Sequence, residues 1–312
     1  MLKVAAIGGG TGLSILLYGL KKYFHVSAIV TVGDNGGGSG ILREDLNMLP
    51  PGDIRNCLLA LSEAPEDLQK LLNYRFKEGI LNNQSLGNLI IAGMVKNEGS
   101  FEKGIELVSN VLKISGSVYP VTIDNMDLCA KLSDGLTVLG ESEIALFALK
   151  RKAKIEELSL ISEVKITQNA KKAIEEADFI TLGPGSLYTS VICNLLVSGM
   201  KEILQDKKII YISNVMTQPE ETYRFSLSDH IFEIEKYLDR PIDYCIANTL
   251  VPNANTIKKY NLEGSDVVLP SEEEIKFFGD RLKTGNFLEE KKGYIRSDAK
   301  NVAKKLLELF HD

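Results

Sequence analysis

Cysteine is scarce in this sequence and widely scattered. Cys57, Cys129, Cys193 and Cys245 form no Cys-x-x-Cys pair, a spacing that fits neither a zinc site nor a small disulfide framework. Each lies in an apolar context, such as Arg55-Asn56-Cys57-Leu58-Leu59, which reads as a buried free thiol in a reducing compartment. A basic excess is also missing. The 36 Lys and Arg against 42 Asp and Glu give a net charge of −6, which argues against a general nucleic-acid binder. The longest basic clusters, Lys150-Arg151-Lys152 and Lys207-Lys208, are short and read as solvated surface. No stretch approaches the roughly 20 apolar residues of a membrane span. The apolar start at residues 1–7 runs straight into glycines, too short for the about 7–15 apolar residues of a signal peptide. These absences together predict a cytoplasmic protein with no nucleic-acid partner and no membrane span.

What is present is ordinary globular composition, 44% hydrophobic and 25% charged over 312 residues, enough chain for a sizeable core. Residues 4–7 are a short apolar run bounded by glycine, the mark of a buried parallel strand. Leu13, Leu16, Leu17 and Leu20 then recur at helical spacing, and residues 26–32 read as a second, β-branched strand. Strand, glycine turn, helix and strand make a βαβ unit with a right-handed crossover. Further strands are expected at 178–182, 208–212 and 242–247, and a closing helix at 301–310. Residues 51–112 are mostly helical by periodicity. Residues 117–140 read as antiparallel ribbons, with a hairpin around Asp134-Gly135. No Pro-, Gly- or Ser-rich linker and no repeat divides the chain. The simplest reading is one α/β domain over 1–312: a Rossmann-like, doubly wound, mostly parallel sheet with a helical insertion and a short antiparallel ribbon.

The chemistry concentrates in glycine-rich loops. Gly8-Gly9-Gly10-Thr11-Gly12 stands where the first strand meets the first helix. Glycine there lets backbone N–H groups approach an anion at a helix N-terminus, and the Thr11 hydroxyl can donate or cap. The blander alternative is a tight turn with no ligand. The loop is not a nucleoside-triphosphate P-loop, because it lacks Gly-Lys-Ser/Thr. Asp34 follows at about the 20-residue interval of a dinucleotide fold, but it opens a second loop, Asn35-Gly36-Gly37-Gly38-Ser39-Gly40, that such folds do not carry. In Pro50-Pro51-Gly52-Asp53-Ile54-Arg55-Asn56, Asp53 could cap its helix or hold a ligand hydroxyl, and Arg55 could meet phosphate or a carboxylate. Gly183-Pro184-Gly185-Ser186 repeats the strand-to-helix logic as a second anion cradle. Asn214-Val215-Met216-Thr217-Gln218 supplies neutral groups for a sugar or base edge. Asn88 could cap a helix or reach the ligand. His230 beside Asp229 reads as structural, since no Ser–His or Cys–His pairing shows in the spacing.

In order and spacing these loops resemble the CofD-like family, and most closely its YvcK-type branch of gluconeogenesis factors. The likeness runs almost end to end, through Tyr260-Asn261-Leu262-Glu263-Gly264 and Arg296-Ser297-Asp298. The resemblance implies a nucleotide-type ligand, a UDP-sugar such as UDP-GlcNAc in the YvcK branch, and a role in cell shape and envelope growth on gluconeogenic carbon sources. It implies phosphate contacts at Gly10, Thr11, Gly12, Gly185 and Ser186, with Asp34, Asp53, Asn88, Asn214, Tyr260 and Arg296 as further site candidates. Tyr260 suits base stacking and Arg296 suits diphosphate. The sequence departs from the family at Asn35 and Gly38, which takes an acid or a hydroxyl out of the second loop and speaks against a metal there. Glu220 and Arg224 stand where the family usually has glycine, which suggests a narrower or differently charged pocket near them.

Three functions follow. The first is a ligand sensor that binds a UDP-sugar and passes its state to a protein partner in envelope regulation or to a homo-oligomer. The second is the namesake reaction, magnesium-dependent transfer of 2-phospho-L-lactate from a nucleotide donor to a deazaflavin alcohol; it needs no catalytic triad, but the absence of Trp counts against an aromatic deazaflavin wall. The third, a NAD-type oxidoreductase, suffers from the extra glycine loops. No catalytic residue is assigned, and magnesium enters only with the transferase.

Overall fold

The computed structural model describes residues 1–291 and 293–310. Its centre is a seven-stranded sheet built from β1 (Lys3–Gly8), β2 (His25–Val30), β3 (Ser117–Pro120), β7 (Phe179–Leu182), β8 (Ile209–Ile212), β9 (Tyr244–Asn248) and β10 (Leu282–Gly285). The spatial order is β10-β9-β8-β7-β1-β2-β3, and every neighbouring pair runs parallel. This is the doubly wound α/β architecture the alternation of strands and helices predicts.

Strand side chains alternate between two apolar layers, as the two-residue period requires. Ala5, Ile7 and Ile29 enter one core, whereas Val4, Ala6, Val26, Ala28 and Val30 enter the other. The second layer includes helix α1 (Gly10–Leu20), whose Leu13, Leu16, Leu17 and Leu20 are all buried. The 51–112 region is helical as expected. After α2 (Gly37–Leu46) come α3 (Gly52–Leu61) and the helices Glu66–Leu72, Leu86–Glu98 and Phe101–Leu112. The closing helix runs Ala299–Glu308 and buries Val302, Ala303 and Leu306. Among the described residues no helix is long and apolar enough to cross a membrane.

The 117–140 region differs from its expectation in one part. Ser117–Pro120 is a parallel edge strand of the main sheet, paired with β2, and not an antiparallel ribbon. Its alternating burial is that of a half-covered edge strand, and four residues of alternation cannot reveal which partner they take. The rest is antiparallel as expected. Strands β4 (Leu128–Leu132), β5 (Thr137–Leu139) and β6 (Ile155–Leu160) form a separate sheet in the order β5-β4-β6. The hairpin turn carries Gly135 at φ 87°, and Asp134 Oδ1 accepts from Leu136 N. A second antiparallel pair, β11 (Leu288–Lys291) with β12 (Tyr294–Ser297), had no counterpart in the sequence reading.

The chain passes from β1 outward through β2 to β3, returns beside β1 as β7, and continues outward to β10. The winding direction therefore reverses between β1 and β7. In open α/β sheets such a reversal leaves a crevice at the carboxyl ends of the two strands.

Arg224 adopts φ 58°, and its guanidinium lies 5.1 Å from the Tyr223 ring centre. A side chain in the left-handed region costs roughly 1–2 kcal/mol, partly offset by the greater chain entropy that glycine would lose. Arg224→Gly is therefore expected to leave thermal stability unchanged or to raise the midpoint by about 2 °C, measured by calorimetric melting; a clear fall would show that the ring contact outweighs the strain.

Candidate functional site

The first loop leaves β1 at Gly8 and enters α1 with Gly10 at φ 64°. Its N-cap, Gly9, has no side chain to cap it. Asp53 Oδ2 takes the Gly10 N–H, which leaves the next N–H groups of the first turn suited to an anion. Close approach explains two of the glycines. A Cβ on Gly9 would stand 2.7 Å from Asp53 Oδ2, and one on Gly12 would stand 2.7 Å from the Pro184 carbonyl carbon. The β1 loop is thus pressed directly onto the loop that follows β7.

That second loop turns at Gly183, φ 73°, and leads into a π-helical turn over Leu187–Ile192. The segment after β8 fastens it at three places. Asn214 Nδ2 donates to Gly185 O at 2.8 Å, and Gln218 Nε2 donates to Ser186 Oγ at 2.9 Å. Buried Glu221 accepts from Tyr188 N at 2.8 Å and from Thr189 Oγ1 at 2.6 Å. Burial pushes the Glu221 carboxyl up to about 7, although the bonds from Thr189 and Tyr188 pull the other way. Sequence reasoning noticed Glu220 and passed over this neighbour, because nothing in the local pattern marks which of two adjacent acids turns inward.

The two loops form one side of a cleft of about 440 Å³. Opposite them stand β12 and the helix Ala254–Leu262, which bring Arg296 and Tyr260 to the lining. Eight of the eleven site candidates line this one space: Gly10, Thr11, Gly12, Gly185, Ser186, Asn214, Tyr260 and Arg296. The Tyr260 ring packs against the small apolar cluster Val215, Met216, Leu288 and Ile295, and its hydroxyl accepts from Ile295 N at 3.0 Å. Arg296 is exposed and makes no ion pair among the described residues. Gln218 also lines the cleft, and its Oε1 is buried without a donor. Sequence reasoning missed Ile15, Ser190 and Tyr294 on this lining. Ile15 and Ser190 lie inside helical turns where no motif marks them; Tyr294 carries the signal of a hairpin, two short apolar runs around Gly293.

The other three candidates lie elsewhere. Asn88 is buried in the helix Leu86–Glu98, where its Oδ1 accepts from Arg55 Nη1 at 2.9 Å. Arg55 is itself buried and gives Nη2 to Asn56 Oδ1, and it makes no ion pair with a carboxylate among the described residues. Burial, helped by Arg75, lowers its guanidinium to about 10. Asp34 turns back to accept from Gly36 N on Oδ1 at 2.8 Å and is not among the residues that line this cleft. Asp53 does not cap its own helix; it reaches behind the first loop and accepts from Gly10 N at 2.6 Å. Asn35 Oδ1 is taken by Ser142 N and Oγ. Among the described residues no three His, Cys, Asp or Glu side chains converge to hold a metal ion. Neither Glu220 nor Arg224 is among the residues that line the cleft.

A family model described as 2-phospho-L-lactate transferase CofD matches residues 4–288. The chain belongs to the CofD family. Among proteins similar to this CofD-family chain, one from Clostridium acetobutylicum is 46% identical over 99% of this chain and 70% of its own length. One from Bacillus subtilis is 39% identical over 99% and 98%. Both carry gluconeogenesis-factor names, as the YvcK-type resemblance of the loops implies. An X-ray structure of a Bacillus halodurans protein superposes with a TM-score of 0.93 at 39% identity, covering 98% of this chain and 99% of the other.

Glu221 makes stability depend on pH. Its folded-state value of about 7 lies above the ordinary 4.5, so between these limits the folded state binds the proton more tightly. Stability is therefore expected to fall as pH rises from about 4.5 to 7, by at most about 1.4 kcal/mol per unit for this one group. Thermal melting of wild type and Glu221→Gln across that range checks it. The variant should lose this part of the slope; an unaltered slope would place its origin elsewhere.

Proposed function

We propose that this CofD-family protein is a nucleotide-sugar-binding factor of the UDP-GlcNAc type. In this reading it acts in the cytoplasm in cell shape and envelope growth under gluconeogenic conditions, and passes its ligand state to a protein partner or a second copy. One observation carries the reading. Of the residues that line the cleft, Arg296 alone is charged, and no carboxylate, imidazole or amine shares the space. Such a lining suits holding a diphosphate between helix N-terminal N–H groups and a guanidinium. It offers no group poised to move a proton.

The remaining lining divides the ligand by chemistry. The Tyr260 ring offers a flat apolar face for a base. Asn214 and Thr217 have most of their polar atoms engaged in the protein, whereas Gln218 Oε1 is an acceptor waiting for a donor. A sugar hydroxyl, an N-acetyl N–H or a uracil N–H would satisfy it, and leaving it unmet costs about 1–3 kcal/mol. The gluconeogenesis-factor names of the relatives bear on the physiological part of the reading and name no ligand. The family model's own description, 2-phospho-L-lactate transferase, favours a second reading, transfer of 2-phospho-L-lactate.

Calorimetric titration with UDP-GlcNAc, UDP-glucose, NAD and GDP, with and without magnesium, separates the two. Saturable UDP-sugar binding without magnesium is expected. Thr11→Ala, Ser186→Ala and Arg296→Ala should each weaken it with little loss of stability, Arg296→Ala by about 1.5–3 kcal/mol as the loss of a charge-assisted bond. Unchanged affinity in all three would remove the cleft from the argument. Magnesium-dependent binding of GDP with UDP-sugars silent would make the transferase the function.

A further inference from the structure

Asp53 occupies the first turn of α3, behind the glycine loop and out of the cleft. Its Oδ2 accepts from Gly10 N at 2.6 Å, the one side-chain hydrogen bond it makes among the described residues. The Gly9 backbone lies against the same oxygen so closely that a Cβ there would stand 2.7 Å away. Gly10 itself lines the cleft. A single peptide unit therefore separates an internal carboxylate from the place where the loop would receive an anion.

The surroundings of Asp53 are mainly negative or neutral. Asp34 faces it from the loop after β2, and Glu141 from the helix Glu141–Arg151. Arg55, on its own helix, adds positive charge nearby, but its guanidinium is tied to Asn88 and Asn56. Cys57 and Cys193, the buried thiols that feel its charge, are held neutral by burial.

We propose that Asp53 is a positioning residue: it clamps the Gly9–Gly12 loop through Gly10 N, and it takes up a proton when a ligand diphosphate settles against that loop. The proposal rests on the nucleotide-sugar reading and adds its proton linkage. Burial and Asp34 already push the Asp53 carboxyl up to about 6, against the pull of Gly10 N and Arg55. The diphosphate of a UDP-sugar stays fully ionised near neutral pH, and its negative charge one peptide away raises the carboxyl further. Above about pH 6 the free protein holds Asp53 ionised and the complex holds it protonated, so binding consumes a proton. Affinity then rises as pH falls through this window and levels off below about 6, where both states are protonated. One proton limits the gain to about tenfold per pH unit. A protonated carboxyl keeps an oxygen that accepts from Gly10 N, so the loop retains its shape.

The test is calorimetric titration of the whole chain with UDP-GlcNAc at about pH 7 in two buffers of different ionisation enthalpy, with affinities at about pH 6, 7 and 8. Uptake of a large part of one proton is expected, with affinity several-fold lower at pH 8 than at pH 7. Asp53→Asn keeps an oxygen for Gly10 N without the charge; it should bind more tightly than wild type at pH 8, with less proton uptake and a shallower profile. Uptake and slope equal to wild type would assign the proton to Glu141 or Glu221, both raised to about 7, and overturn the role of Asp53. In ligand-free wild type, the Gly10 amide resonance should titrate with a midpoint near 6, which reads the clamp without any variant. Binding without proton uptake overturns the linkage and leaves the nucleotide-sugar reading standing. No binding of UDP-GlcNAc at any pH overturns that reading and the linkage with it. A Gly10 amide blind to this titration overturns the clamp.

Discussion

Two stretches of backbone touch at the centre of this protein, and the rest of the site follows from that contact. β1 and β7 are hydrogen-bonded neighbours although 171 residues separate Gly8 from Phe179. The loops leaving them meet where Gly12 lies against Pro184 and Gly185. A side chain at Gly12 would force the loops apart. With none there, Gly10, Thr11 and Gly12 of one loop and Gly185 and Ser186 of the other line one cleft.

Backbone held so closely needs partners that fix its direction, and two carboxylates, half-buried Asp53 and buried Glu221, supply them. Asp53 holds the first loop through Gly10 N, and Glu221 holds the second through Tyr188 N and Thr189. Burial raises the pKa of both, to about 6 for Asp53, where Asp34 adds to it, and to about 7 for Glu221. Desolvating a carboxylate is costly unless it is hydrogen-bonded or takes a proton. The two loops that line the cleft, themselves uncharged there, thus rest on carboxyls whose pKa values lie near neutrality. Arg296 completes the cleft from the far wall as the one fixed charge on the lining.

Much of this was legible in the sequence because backbone demands leave residue signatures. Gly9, Gly12 and Gly183 are glycines for steric or conformational reasons, and their place after apolar strand runs located both loops. The helical insertion and the Asp134-Gly135 hairpin were legible on the same terms. Side-chain direction was not. Asp53 and Asn88 look like ligand groups in a motif, yet one turns behind the loop and the other binds Arg55, choices made by packing across the fold. Ser117–Pro120 could not show its parallel partner, since pairing with β2 depends on residues about 90 positions away. The far wall was visible only through the resemblance, because a short hairpin gives little periodicity to read.

The two walls of the cleft differ in how they are anchored. β1 and β7 belong to the seven-stranded sheet between two large apolar layers. The hairpin of β11 and β12 is a separate two-stranded sheet on a cluster of four buried residues, with Tyr260 and Val267 packed against it. Regions with few buried contacts open locally at lower free energy than the core around them. Tyr260 joins that cluster to the hairpin through Ile295 N, so a ligand stacked on its ring would bear on the weaker of the two units. Occupancy would then tighten one exposed ribbon while the central sheet stayed as it was, and that ribbon is the surface on which a bound molecule becomes visible from outside.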